Sequence, residues 1–300
     1  MTGTEAAADT TTVPFRFFGL TVVRTRRLSS SLLRVTFGGE DLRAFTSGGR
    51  DQSLSLFLPH PGQSEPVLPP ETEPDWFAAY RALPDDVRAA MRSYTLREQR
   101  RVADGAETDE VDIDFALHGD GGPACRWAAQ ASSGARVVVL GPAIADNTAV
   151  RFRPPEDADW VLMWADETAL PAAAAALEWL PAGTKAKVWI EVQHADDRLE
   201  LTTAADAEIT WLVRDEDAPA AVDAIRAVPD AELPGGTPYA WIAGESSCVR
   251  ALRRHLVQER KFDRKRVTFV GYWRRGLSEE QLRERAEAET EAEAEAEAEH

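Results

Sequence analysis

Cysteine is scarce: the 300 residues contain only Cys125 and Cys248. The two lie far apart and have no Cys or His neighbours at metal-ligand spacing. That argues against structural zinc and cysteine-ligated iron–sulfur clusters and suits a reducing cytoplasm. No stretch reaches the ~18 apolar residues of a membrane span. Residues 1–12 hold no Lys, no Arg and no apolar run of signal-peptide length. The expectation is a cytoplasmic protein, neither exported nor inserted in a membrane. Positive charge is also short, since 34 Lys and Arg face 51 Asp and Glu for a net −17. Phosphate neutralisation needs clustered cations, so a general nucleic-acid binder is excluded. Seven of the negatives stand at alternate positions from Glu287 to Glu299, which leaves −10 on the rest of the chain. There is no internal repeat at solenoid spacing, and no coiled-coil seam; a monomer is expected.

What is present fits an ordinary globular chain, 44% hydrophobic and 28% charged, long enough at ~100 to 200 residues per domain for two domains. From Phe15 to Val150 short β-rich runs alternate with Gly, Pro, Ser and Asp clusters. The runs are Phe17–Thr25, Leu32–Phe37, Gln52–Pro59, Arg92–Arg97, Glu110–Leu117 and Arg136–Gly141. Six such strands suit a small antiparallel barrel. Residues 60–75 read as a surface loop, with short helical pieces at Trp76–Arg81 and Pro84–Arg88. After about Arg153 the period changes. Strand-like runs at Trp160–Trp164, Lys187–Val192, Glu208–Val213, Tyr239–Ala243 and Val267–Val270 are interspersed with helical segments at Leu170–Trp179, Ala218–Val228 and Ser246–Arg260, the last with Ser246 as a possible cap. This alternation indicates a parallel α/β sheet. The expected division is a barrel over 13–152, an α/β domain over 153–285 and an acidic low-complexity tail over 286–300, with Pro154–Pro155 in the junction.

Four features suggest a bound dinucleotide. Arg92-Ser93-Tyr94-Thr95 places a cation, a ring and a hydroxyl on one strand: the Arg can fork to a pyrophosphate, the Tyr can lie on a flavin ring and the Thr can bond its polar edge. A strand of merely alternating exposure reads the same way. The run His118 to Ala124, with Gly119, Gly121 and Gly122, leads into a helical pattern and either presents backbone N–H groups to phosphate or only turns the chain. His118 is a phosphate or flavin ligand or a strand-end histidine. The α/β half lacks a Gly-x-Gly-x-x-Gly fingerprint after its first strand. Its first strand runs instead into Asp166-Glu167-Thr168, where Thr168 either meets a cofactor at the sheet's carboxyl end or belongs to a capped helix start. Finally, Tyr272-Trp273-Arg274-Arg275 leaves the last strand as a wall for a flat anionic ligand or as a structural plug. Arg214, after its strand, either contacts an NADP 2′-phosphate or is solvated.

With these in place the chain resembles the siderophore-interacting protein family, FAD-dependent ferric-siderophore reductases related to ferredoxin–NADP reductase. The matching segments are RSYT at 92–95, LHGDGGPACRWA at 117–128, DETALPA at 166–172, and WIAGESSCVRALRRHL with GYWRRG between 241 and 276. They occur in the family's order from Phe15 to Gly276. The resemblance implies an N-terminal FAD-binding barrel and a C-terminal NAD(P)H-binding α/β domain. It implies that Arg92, Ser93, Tyr94 and Thr95 hold the flavin and its phosphates. His118, Gly119, Gly122, Pro123 and Ala124 would line the phosphate region. Asp166, Glu167, Thr168, Gly244 and Glu245 would face the nicotinamide, and Trp273 would stand near the flavin. Two positions depart from the pattern: Ala165 replaces a usual Gly, and Ser55 a frequent Lys associated with the anionic siderophore or cofactor pocket.

The implied reaction passes electrons from NADPH or NADH through FAD to an Fe(III)-siderophore, releasing Fe(II). An anionic chelate approaching an acidic body needs local cations, for which Arg50, Arg250, Arg253, Arg274 and Arg275 are the candidates. A general flavin reductase, an electron donor to a partner protein, and a non-catalytic siderophore- or flavin-binding module are the alternatives.

Overall fold

The computed structural model describes residues 13–117, 121–216, 218–278 and 281. Its N-terminal half is one antiparallel sheet of seven strands, in the order β4-β3-β7-β1-β2-β6-β5. The strands are β1 (Phe15–Arg27), β2 (Leu32–Gly38), β3 (Ser53–Leu58), β4 (Ala90–Thr95), β5 (Glu98–Arg100), β6 (Glu110–Ala116) and β7 (Arg136–Pro142). The six expected strands are there, and β5 is additional. Glu98-Gln99-Arg100 carries no apolar or β-branched residue, so nothing in its composition marks it as a strand. The sheet curls around Phe18, Phe37, Phe45 and Phe115, all fully buried. Strands β4 and β5 are its two ends and are not hydrogen-bonded to each other, so it is a half-barrel rather than a closed one.

Two helices cover this half. α1 (Trp76–Ala82) is capped by Asp75, whose side chain accepts the Ala78 N–H, and packs Trp76 and Tyr80 on Phe57. Pro84–Arg88 is a turn, not a helix, closed by Arg88 N–H on the Pro84 carbonyl at 2.9 Å. α2 (Pro123–Gln130) starts after Gly122 with Pro at its first position, where the missing N–H costs nothing.

The C-terminal half is a parallel five-stranded sheet, order β10-β9-β8-β11-β12. Its strands are β8 (Trp160–Asp166), β9 (Lys185–Val192), β10 (Asp206–Val213), β11 (Pro238–Glu245) and β12 (Val267–Trp273). α3 (Leu170–Trp179) matches the expected bounds; its Ala-rich face allows a close approach, and Leu170 to Leu177 are all buried. α4 (Ala221–Ala227) starts later than expected because Pro219 interrupts the helical run. α5 (Ser246–Arg254) passes into one π turn, His255–Glu259. There Arg260 N–H reaches the His255 carbonyl at 3.0 Å, and the Arg260 guanidinium binds the carbonyls of Ile225 and Val228. α3 packs on one face of the sheet, and α4 and α5 on the other. Strand order reverses between β8 and β11, and ligands of such sheets bind at the carboxyl ends beside that reversal.

The halves are bound to one another. Ser29 Oγ donates to Asp197 at 2.6 Å, and Arg97 pairs with Glu178. Leu32 and Phe152 join the core of the C-terminal sheet. No described helix is long and apolar enough to cross a membrane.

Candidate functional site

Strand β4 brings the first motif to the seam between the halves. It pairs with β3 so that Thr95 faces Ser53, Tyr94 faces Leu54, Ser93 faces Ser55 and Arg92 faces Leu56. The Tyr94 ring lies 4.5 Å from that of Phe115 and packs on the barrel core. Thr95 is buried, and its Oγ1 is 3.5 Å from the Tyr272 hydroxyl on β12. Burial raises that hydroxyl's pKa, so it stays neutral, and either hydroxyl can be the donor.

At the other end of β4, Ala90 and Met91 wall a groove of about 900 Å³ that also runs past Pro123 and Arg126 of α2. Arg81, Arg88 and Arg136 also line it, with Arg88 paired to Asp85 of the same lining and Arg136 to Glu65 at 2.9 Å. A cavity of that size lined by four guanidiniums, beside the N-terminal turn of α2, fits the diphosphate and adenosine half of FAD. A ring on Tyr94 and a diphosphate near Arg92 would lie in line with it along β4. A Cβ built on Gly122 meets nothing within 4 Å among the described residues. The side chain of Ala124, by contrast, is buried in the barrel core; only its backbone can face a phosphate. His118 and Gly119 lie outside the described residues.

The carboxyl ends of all five parallel strands contribute to a second cluster. Asp166 closes β8 and is 2% exposed. Its Oδ1 accepts the Thr168 N–H at 3.0 Å and hydroxyl at 2.5 Å; its Oδ2 accepts the Glu245 N–H at 2.8 Å and the Trp273 Nε1–H at 2.7 Å. Burial, then the neighbouring Glu167, pushes the Asp166 carboxyl above its ordinary range, against the pull of those donors. Burial likewise raises Glu191 near the end of β9. Burial and the nearby carboxylates push the Cys248 thiol up to about 12. Gly244 has φ +146°, and a Cβ there would stand 2.5 Å from Asp166 Oδ2, so only glycine lets β11 approach β8 this closely.

The sequence expectations gather here unevenly. Asp166, Glu167, Thr168, Gly244, Glu245 and Trp273 come together at the point of strand reversal. Arg274 and Arg275 follow directly, with the Arg275 N–H 3.4 Å from Glu245 Oε1. Glu245, not Ser246, caps α5: its carboxylate accepts the Ser247 and Cys248 N–H groups, while Ser246 Oγ donates to the Trp273 carbonyl. Arg214 turns inward to buried Glu167 and stands 3.6 Å from Glu191, with 27% of its side chain exposed, so its charge is largely engaged by these carboxylates. Burial alone would lower its pKa, but these carboxylates raise it. Arg250 is exposed on α5, whereas Arg253 is stacked 4.3 Å over Phe269. Arg50 is stacked on Trp179 at the last residue of α3, toward the opposite end of the sheet from Arg274. Arg50 and Arg253 therefore do not join the arginines at the carboxyl end. Sequence reasoning missed Glu191 and the groove arginines; Arg126, one turn into the helix after the glycines, was the only signal.

Of the departures, Ala165 is fully buried within β8 and packs in the sheet core. Ser55 faces a separate apolar hollow with Phe17, Phe57, Trp76 and Leu140.

Residues 21–146 match the model of the siderophore-interacting FAD-binding domain, and residues 158–276 that of the siderophore-interacting protein. The chain belongs to the siderophore-interacting protein family. Among relatives, it is 33% identical to the ferric vibriobactin reductase ViuB of Vibrio cholerae, over 88% of this chain and 92% of that one. It is 35% identical to an NADPH-dependent ferric-chelate reductase of Escherichia coli, over 86% and 93%. The family's solved structures include the siderophore-interacting protein SipS from Aeromonas hydrophila, which superposes with a TM-score of 0.72 at 32% identity, covering 92% of this chain and 99% of that one. A ferredoxin reductase of carbazole 1,9a-dioxygenase, 15% identical with a TM-score of 0.60, shares the fold.

Proposed function

We propose that the protein is an FAD-dependent reductase that passes electrons from NADPH or NADH to an Fe(III)-siderophore and releases Fe(II) for iron uptake. The observation that carries this reading is the seam at Thr95 and Tyr272, where the strand suited to a flavin meets the end of β12 beside the strand reversal. Bound FAD takes two electrons as hydride from NAD(P)H and can release them singly, which suits a one-electron iron reduction. In this reading Arg92 holds the pyrophosphate, Tyr94 lies against the isoalloxazine, Thr95 bonds its polar edge, and Ser93, paired with Ser55 on the other face of the strand from Tyr94, contributes its backbone. His118, Gly119, Gly122 and Pro123 border the phosphates. Asp166 orients Trp273 and the Glu245 backbone, and with Glu167, Thr168 and Gly244 forms the floor for the nicotinamide. Arg274, Arg275 and Arg250 draw an anionic chelate toward the flavin edge. The protein works as a cytoplasmic monomer.

Purified protein tests this directly. Yellow flavin absorbance, bleaching by NADPH or NADH without oxygen, and recolouring by ferric chelates with ferrous iron trapped as it forms are the expected results. A colourless protein that cannot be reconstituted with FAD overturns the reading. Bleaching without reoxidation by any chelate faster than by free ferric citrate leaves a general flavin reductase.

A further inference from the structure

We propose that Asp51 is a positioning residue for hydride transfer, its buried carboxylate setting the spacing between the flavin strand β4 and the nicotinamide-side strands β11 and β12. The inference rests on the reading of the two cofactor sites given above. Asp51 follows a turn in which Gly49 and Arg50 both have left-handed backbones, φ +65° and +56°. A non-glycine residue holds that conformation only where its surroundings over-determine it. Here the Arg50 guanidinium is stacked 4.9 Å over Trp179, and the Gln52 N–H closes the turn on the Gly49 carbonyl at 3.1 Å. The turn drives Asp51 between the halves, where it is 3% exposed. One oxygen accepts the Arg151 and Phe152 N–H groups at 2.9 and 2.8 Å; the other accepts the Trp241 Nε1–H at 3.0 Å.

One carboxylate thus joins the start of β3, the interdomain linker and the middle of β11. Burial of an indole in this sheet does not require such a partner, because Trp160 and Trp164 keep buried Nε1–H groups without one among the described residues. Two residues after Asp51, Ser53 lies opposite Thr95, and the Gln52 carbonyl accepts the Leu96 N–H at 2.9 Å. Trp241 stands three residues before Gly244 and is in register with Thr268 of β12. With the Thr95–Tyr272 contact, these links close a ring of hydrogen-bonded strands around the seam, and Asp51 is its base. Hydride transfer needs its reacting atoms within ~3.5 Å, and a displacement of ~1 Å can cost ~100-fold. Electron transfer to a chelate needs no such contact between reacting atoms, so it depends far less on that register.

Two variants separate positioning from stability. Asp51→Asn keeps the shape but turns an amide toward a donor; Trp241→Phe removes the indole N–H together with part of the ring volume. The full chain carrying FAD is mixed anaerobically with NADPH in a stopped-flow instrument, and the photoreduced protein is separately mixed with ferric citrate. Amide exchange at Arg151 and Phe152 is followed in cofactor-free protein. The expected result is a limiting rate of flavin reduction at least about tenfold lower in both variants, with loss of the long-wavelength charge-transfer absorbance between flavin and nicotinamide. FAD stays bound, reoxidation by ferric citrate stays within about twofold of the parent, and exchange at 151 and 152 quickens in Asp51→Asn. Unchanged flavin reduction in Trp241→Phe overturns the proposal. So does a parallel fall of both half-reactions, or loss of FAD or of the fold in both variants, which would make the role purely structural. A parent protein that neither NADPH nor NADH bleaches overturns the reading of function and the proposal with it, while exchange at 151 and 152 still reports whether Asp51 joins the halves.

Discussion

At Gly244 a single methyl group decides whether β8 and β11 can close on Asp166. Gly244→Ala brings a Cβ to 2.5 Å from Asp166 Oδ2 and 2.9 Å from the Trp164 ring, on a backbone that disfavours side chains. The expected cost is about 2 kcal/mol, read as a lowered thermal midpoint, with FAD still bound and flavin reduction by NADPH slowed. Arg214 answers to a different logic. Glu167 is 2% exposed and has the guanidinium as its partner, so Arg214→Ala leaves a buried carboxylate uncompensated, at a cost of about 3 kcal/mol. Because its charge is spent inside the protein, the ratio of NADPH to NADH efficiency in that variant stays within about twofold of the parent. A collapse of NADPH preference in steady-state kinetics would return the residue to a 2′-phosphate.

Among the elements, β2, β5 and β6 carry an ionic ladder in the half-barrel. Arg100 bridges Asp112 at 2.8 Å and Glu110 at 3.1 Å; Arg34 binds Asp114 at 2.7 Å, and Arg24 on β1 binds Glu110 at 2.7 Å. The Arg24 bond holds Glu110 below its ordinary range. Burial would raise Asp112, but bonds from Arg100 and Thr36 outweigh it and lower the pKa. Depressed carboxylates give stability that is present above their unfolded values, near 4, and lost as pH falls through the folded values. Asp166 and Glu191 have raised values and act in reverse: their contribution is full in acid and lost as pH rises through the folded values. Thermal scans from acid to neutral pH are therefore expected to show the half-barrel ladder weakening below about pH 4, and Arg100→Met to flatten that acid limb. These elements also mark what sequence could disclose. Runs such as Trp160–Trp164 and the Ala-rich Leu170–Trp179 were legible because burial on both sides demands unbroken apolar residues. Strand β5 was not, since charges paired across the sheet replace the apolar pattern. Neither was the π turn, which depends on Arg260 reaching carbonyls of α4. Asp51 and Trp241 could not be matched by spacing, because nothing local in either segment announces a partner 190 positions away.

For the molecule as a whole, net charge and site charge oppose each other. The chain carries −17, yet Arg274 and Arg275 leave the carboxyl end of β12. Screening reaches ~30 Å at 0.01 M salt and ~8 Å at 0.15 M, so the acidic body is felt at low salt and the arginines dominate at higher salt. The second-order rate of reoxidation by an anionic ferric chelate should rise as salt is added from about 0.01 to 0.15 M. An Arg274→Glu, Arg275→Glu double variant should be slower at both. Stopped-flow traces across a salt series check this, and a rate that only falls with salt would mean the body's charge is not sensed. The raised Cys248 thiol has a consequence of its own. A protein that turns ferric iron into ferrous iron in air generates peroxide at its own surface, and a thiolate nearby would be its first casualty. Held protonated among Glu191, Asp166 and Glu245, this sulfur is a poor nucleophile, and peroxide is expected to leave it a thiol, which mass spectrometry of peroxide-treated protein checks.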